Sequence, residues 1–191
     1  MSYILKLVNK ALSDADLRTI LWDDMKIIKY SELDNYSDLD ELLPNELDYC
    51  IVLYEEKLNS GHWVCLCKYG GVIEFFEPYG FKPDRPLKWI SMKKRRMLDQ
   101  DTPDLTHLLG RERYISNGIK YQDPDDFVNT CGSHCCHRIY RLKHDGMTLE
   151  RYHDFMRSIK KQFDIGYDLI VAEFVRKFLM WYQINDVIRQ H

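Results

Sequence analysis

Residues 49–78, YCIVLYEEKLNSGHWVCLCKYGGVIEFFEP, decide the fold. Three runs within them, YCIVLYEE (49–56), HWVCLCKY (62–69) and VIEFFEP (72–78), are rich in β-branched and aromatic residues. NSG and GG separate them, which is tight-turn chemistry, so the stretch predicts an antiparallel meander. Downstream, RERYIS-NG-IKYQ (111–122) predicts a further hairpin turning at Asn117-Gly118. Upstream, Leu17, Ile20 and Leu21 fall at helical spacing in residues 14–22, with Ser13 as N-cap. The acidic segment SDLDELLPNELD holds one short helix ending before Pro44. After Pro124 the pattern turns helical. Cys131, Cys135, Ile139 and Leu142 share one helix face, and His134, Arg138 and Arg141 lie on another. TLERYHDFMRSIKKQF (148–163) opens with Thr148 as cap and closes on Lys160 and Lys161, and residues 167–188 form a last long helix. The expected fold is one α+β domain over residues 1–191, a central, mainly antiparallel sheet flanked by helices.

Hydrophobic residues make up 45% of the 191-residue chain and aromatics 13%, enough for a full core without staples. A formal charge of -3 implies no global attraction to nucleic acid or anionic membrane. KKRR (93–96) is a local basic patch that reads first as a solvated face. The N-terminus shows no secretory signal, and LIVAEFVRKFLMWY (169–182) is broken by Glu173, Arg176 and Lys177. A soluble, intracellular protein without a membrane partner is expected. Six cysteines, two of them adjacent (Cys135, Cys136) and two on one strand (Cys65, Cys67), read as reduced thiols.

Residues 129–142, NTCGSHCCHRIYRL, crowd three cysteines and two histidines into seven positions. Cys131, His134, Cys135, Cys136 and His137 offer metal ligands, but Cys65 and Cys67 are the sole other pair, so zinc is disfavoured and no cofactor is expected. Cys131 opens a helix, where free N–H groups stabilise a thiolate and can hold an oxyanion; Gly132 lets a substrate backbone approach. Cys135, one turn deeper, reads as a small buried hydrophobe. A nucleophilic cysteine needs a base and a group to orient it. Most of the seven histidines read as solvated, whereas His62 begins a strand after a glycine turn. Glu77 ends the next strand and falls beside it; Glu74 points to the opposite face.

SGHW, FFEPYGF and CGSHCC, in that order, resemble the adenovirus-type (adenain-like) processing proteases over residues 49–142. The wider clan includes proteases that remove ubiquitin-like modifiers and maturation proteases of other large DNA viruses, virophages and Polinton-type elements. The resemblance implies a papain-like, adenain-like cysteine protease fold with Cys131 as nucleophile, His62 as general base and acid, and Glu77 orienting His62. Gln122 matches the oxyanion-hole glutamine, with Asn129 as a second candidate donor, and Trp63 matches the aromatic that narrows the cleft next to glycine. The implied activity is a cysteine endopeptidase that cuts capsid or other virion precursor polypeptides at glycine-containing sites during particle maturation. It would work inside the host cell, in cytoplasm, nucleus or viral factory, and be packaged in the virion; a peptide or DNA activator is left open. The alternatives are a deconjugating protease for a ubiquitin-like modifier, and a non-catalytic structural or zinc-binding module.

Overall fold

The computed structural model describes residues 2–21, 25–110 and 113–189. Their elements are α1 (Tyr3–Val8), α2 (Asp14–Leu21), β1 (Lys26–Lys29), α3 (Leu39–Leu42), β2 (Tyr49–Lys57), β3 (Ser60–Tyr69), β4 (Val72–Phe76), α4 (Met92–Met97), α5 (Asp104–Leu109), β5 (Tyr114–Ser116), α6 (Cys131–Asp145), α7 (Leu149–Phe163) and α8 (Tyr167–Arg189), with 3₁₀ turns at Tyr30–Asn35 and Arg85–Trp89. The class is α+β. The chain divides into two compact units: a sheet unit, Lys26–Lys120, and a helical unit made of Met1–Met25 and Tyr121–His191.

In the sheet unit the strand order is β1-β2-β3-β4-β5. The β2-β3-β4 meander is antiparallel as expected, with Val52 opposite Val64 and Leu66 opposite Phe75. Gly70 and Gly71 make its second turn, at φ +58° and +68°, the left-handed pair that a two-residue hairpin loop demands. Both outer pairs, β1 with β2 and β4 with β5, are parallel. Here the expected hairpin at Asn117-Gly118 is corrected. Gly118 does turn the chain at φ +56°, but β5 ends at Ser116, pairs with β4, and among the described residues no strand returns after it. The cause is visible in Asn117, whose side chain is buried and bonded rather than exposed at a loop tip.

Alternate side chains Cys50, Val52, Tyr54, Val64, Leu66 and Phe75 build one buried face of the sheet, packed on Tyr30, Leu33, Leu42 and Leu109. Full burial of each such side chain stabilises by roughly 1.5–3 kcal/mol.

In the helical unit α2 and α8 pack on α6, and α1 and α7 pack on α8. Ser13 caps α2 as expected: its Oγ accepts from Asp16 N (3.2 Å), and Asp16 Oδ2 accepts from Ser13 N (3.1 Å). The expected end of that helix at Trp22 lies outside the described residues. Thr148 does precede α7, but its hydroxyl makes no capping bond. The expectation that the histidines of α6 are solvated is corrected, because every residue from Cys131 to Ile139, on both faces, is buried. His134 and Arg138 are 0% exposed and His137 1%, so neither histidine is solvated. Arg138 survives burial by donating to Met147 O (3.0 Å) and lying 5.1 Å from the Tyr152 ring centroid. Among the described residues no helix is long and apolar enough to cross a membrane.

Candidate active site

The sheet unit supplies the base. His62 opens the buried part of β3, opposite Tyr54, and follows Gly61. A Cβ on Gly61 would stand 1.9 Å from Tyr54 O, so only glycine lets β3 approach β2 here. The last β3–β4 pair is Cys65 with Phe76, which brings the next residue, Glu77, to the His62 end of β3. His62 Nε2 and Glu77 Oε1 are 2.6 Å apart, with His62 6% and Glu77 0% exposed. A carboxylate so placed takes the Nε2–H, which makes Nδ1 the basic nitrogen of the ring.

Sequence chemistry explains why Glu77 stays put. Glu77, Pro78, Tyr79 and Gly80 form a β-turn closed by Gly80 N donating to Glu77 O (2.8 Å). Proline suits its second position, and Gly80 at φ +76° lies so close to Ile119 that a Cβ would be 2.7 Å from its carbonyl carbon. The turn also aims Phe81 N at Glu77 Oε2 (2.7 Å), so both carboxylate oxygens are engaged. Asn117 grips the Glu77 backbone from both sides, accepting from its N–H (3.0 Å) and donating to its carbonyl (2.8 Å). Glu74 is buried elsewhere and accepts from Tyr69 Oη (2.7 Å). Tyr79 stacks on the His62 ring (centroids 5.2 Å) and Trp89 meets it edge-on (5.4 Å). Trp89 is 44% exposed; Trp63, on the other face of β3, is buried at 8%.

The helical unit supplies the thiol. Cys131 is the first residue of α6, with Gly132 buried beside it. It is 9% exposed, and the other five cysteines are 0%. All six are free. Burial pushes the thiols of Cys50 and Cys136 far above their ordinary range, which keeps them protonated and inert. Gln122 Nε2 donates to Val128 O (3.1 Å), three residues before Cys131, and its Oε1 meets no partner among the described residues. Asn129 spends its side chain on Asn9 O (3.2 Å). Among the described residues no group of three or more His, Cys, Asp or Glu is gathered to hold a metal ion.

Thr130, the N-cap of α6, sits at φ -100°, ψ 7°, and gives α6 no side-chain capping bond. Its hydroxyl donates to Asp168 Oδ1 of α8 instead. Asp168 also faces His134 Nε2 at 3.0 Å and accepts from Asp123 N (3.0 Å). Burial raises its carboxyl pKa, but the His134 contact and charge, the Thr130 hydroxyl and the Asp123 amide outweigh that and hold it below the ordinary range.

Four of these residues escaped the sequence reading. Asn117 was hidden by its turn-forming neighbour and Asp168 by an ordinary acidic first turn. Trp89 and Tyr79 carry no spacing signal; only the Pro-Tyr-Gly turn hints at Tyr79.

The α+β chain thus carries a buried His62–Glu77 pair at a strand end in one unit and Cys131 at a helix start in the other. No protein-family model matches it. It is 36% identical over 155 residues to an uncharacterized protein, V9, of the Sputnik virophage, covering 79% of this chain and 87% of that one. The chain belongs to the family of that virophage protein. Among solved structures, the ASFV pS273R protease matches with a TM-score of 0.45 at 15% identity, over 75% of this chain and 61% of that one. A likeness that low transfers neither fold nor role.

Proposed function

We propose that the chain is a cysteine endopeptidase that matures viral precursor polypeptides. The observation that carries the reading is the buried 2.6 Å contact between His62 Nε2 and Glu77 Oε1. A sheet end built to hold one imidazole tautomer against a carboxylate is the equipment of a general base. Cys131, the one cysteine with exposed surface, is the nucleophile. His62 takes the Cys131 proton, and the thiolate attacks the scissile carbonyl. The tetrahedral oxyanion is held by the Cys131 N–H and by the Gln122 carboxamide, which keeps a second N–H beyond the one given to Val128. The C–N bond then breaks as His62 protonates the leaving amine, and a thioester remains. Water, deprotonated by His62, attacks it, releasing the acid and restoring the thiol.

The family relation to a virophage protein supports a viral setting for the reaction. Trp89, rather than the buried Trp63, suits the wall of a cleft that admits glycine, since its indole is partly exposed and packs on His62. The test is to incubate the protein with the virion proteins of its source and with glycine-containing peptides, and to map new termini by mass spectrometry. Cleavage that disappears in Cys131→Ala is the expected result. Cleavage confined to the tails of ubiquitin-like modifiers would favour the deconjugating reading, and cleavage that survives Cys131→Ala would refute the proposal.

A further inference from the structure

An N-cap threonine ordinarily has extended backbone and turns its hydroxyl back onto a first-turn N–H. Thr130 does neither. Its φ of -100° and ψ of 7° put it in the sparsely populated bridge region, and its hydroxyl is turned away to Asp168. The first-turn N–H groups of α6 are thereby not consumed by their own cap. A cap would take the N–H of Gly132 or Ser133, and these are the groups whose partial charge would stabilise a thiolate at Cys131. Asp168 is well fixed for the purpose: it stands in the first turn of α8, where the helix favours a carboxylate, and is tied to His134 and Asp123 N as well.

We propose that Asp168 is a positioning residue for Cys131: it holds the Thr130 hydroxyl off the start of α6 and so keeps the first-turn N–H groups of Gly132 and Ser133 for the reacting sulfur. The inference rests on the protease reading. It makes a prediction that simple charge does not. Loss of a nearby carboxylate alone would make a thiol more acidic. Here, loss of Asp168 frees the Thr130 hydroxyl to cap the helix and makes Cys131 less acidic.

The experiment is the rate of iodoacetamide alkylation at Cys131 against pH, read by peptide mass spectrometry, with melting temperature measured in parallel. Asp168→Ala is expected to slow Cys131 at neutral pH about tenfold and to raise its midpoint by about one unit. Adding Thr130→Val to Asp168→Ala removes the hydroxyl and is expected to recover most of that loss, although the double variant regains no stability. Asp168→Asn, which still accepts from the hydroxyl, and Thr130→Val alone should each react within about threefold of wild type. Faster alkylation in Asp168→Ala, no recovery in the double variant, or a tenfold loss in a folded Thr130→Val would each overturn the proposal. Slow, His62-independent alkylation of wild-type Cys131 would instead bring down the protease reading itself.

Discussion

Among the described residues two histidines meet a carboxylate in the interior, and their surroundings differ. His62 and Glu77 stand 2.6 Å apart at the end of a strand, beside a half-exposed Trp89. His134 and Asp168 stand 3.0 Å apart inside the helical unit, with His134 0% exposed and its Nδ1 facing no partner among the described residues. The His62 ring keeps 6% of its surface exposed, and on the proposed reading it exchanges a proton with an arriving group. The His134 ring has no exposed surface, and its carboxylate is shared with a hydroxyl and an amide that fix backbone. The two contacts thus differ in access to the ring: the His62 contact, with ring surface open, carries the catalytic proposal, and the His134 contact does not.

The sharpest way to break that contrast is to neutralise both carboxylates. Glu77→Gln keeps the shape but no longer favours one tautomer of His62, and turnover should fall by on the order of 10³–10⁴. Asp168→Asn should cost at most about threefold, because the amide oxygen still accepts from Thr130. Peptide hydrolysis by both variants checks this; equal losses would erase the distinction.

The first pair was legible in the sequence and the second was not. An antiparallel meander brings the start of one strand to the end of the next, so His62 and Glu77 follow from strand spacing alone. His134 and Asp168 lie 34 residues apart on two helices, and no periodicity says which faces of α6 and α8 will meet. The helix pattern did identify a buried stripe through Cys135 and Ile139. It could not show that α2 and α8 pack on α6 as well, nor that Arg138 is covered. The Asn117-Gly118 pair signalled a turn correctly, but the same dipeptide cannot say whether a strand follows. Nor did its composition reveal that Asn117 is spent on holding Glu77.

Two substitutions sharpen the account of the first pair. Gly61→Ala pushes a methyl into Tyr54 O, so β3 must shift; a loss of about 1–3 kcal/mol in chemical denaturation and a large loss of turnover are expected together. Asn117→Ala leaves the Glu77 N–H unpaired and its carbonyl with the Gly80 N–H alone, and should cost about 1–3 kcal/mol with turnover down about tenfold. A variant that loses the stability but keeps full turnover would show that Glu77 does not need that grip.

The smallest effect concerns a third buried histidine. His137 Nε2 accepts from Arg141 Nε (3.3 Å), leaving Nδ1 to donate to Tyr152 Oη (2.9 Å). Burial, then the charges of Arg141, His134 and Arg138, hold its pKa well below 6.5. The unfolded chain therefore takes up a proton first, and stability falls as pH drops below about 6.5. Asp168, depressed in the folded state, acts later: its contribution is present above the ordinary carboxylate value near 3.8 and is lost as pH falls through the folded value. Denaturation of His137→Gln should show a flatter profile just below pH 6.5, with the steeper loss at lower pH retained.

The most direct test of the central claim is the pH dependence of alkylation at Cys131 in wild type and in His62→Ala. It reads the thiolate itself and needs neither substrate nor activator. Reaction well below pH 8 in wild type, lost without His62, is the expected result. Slow reaction at Cys131 that ignores His62 would contradict the assignment of nucleophile and base.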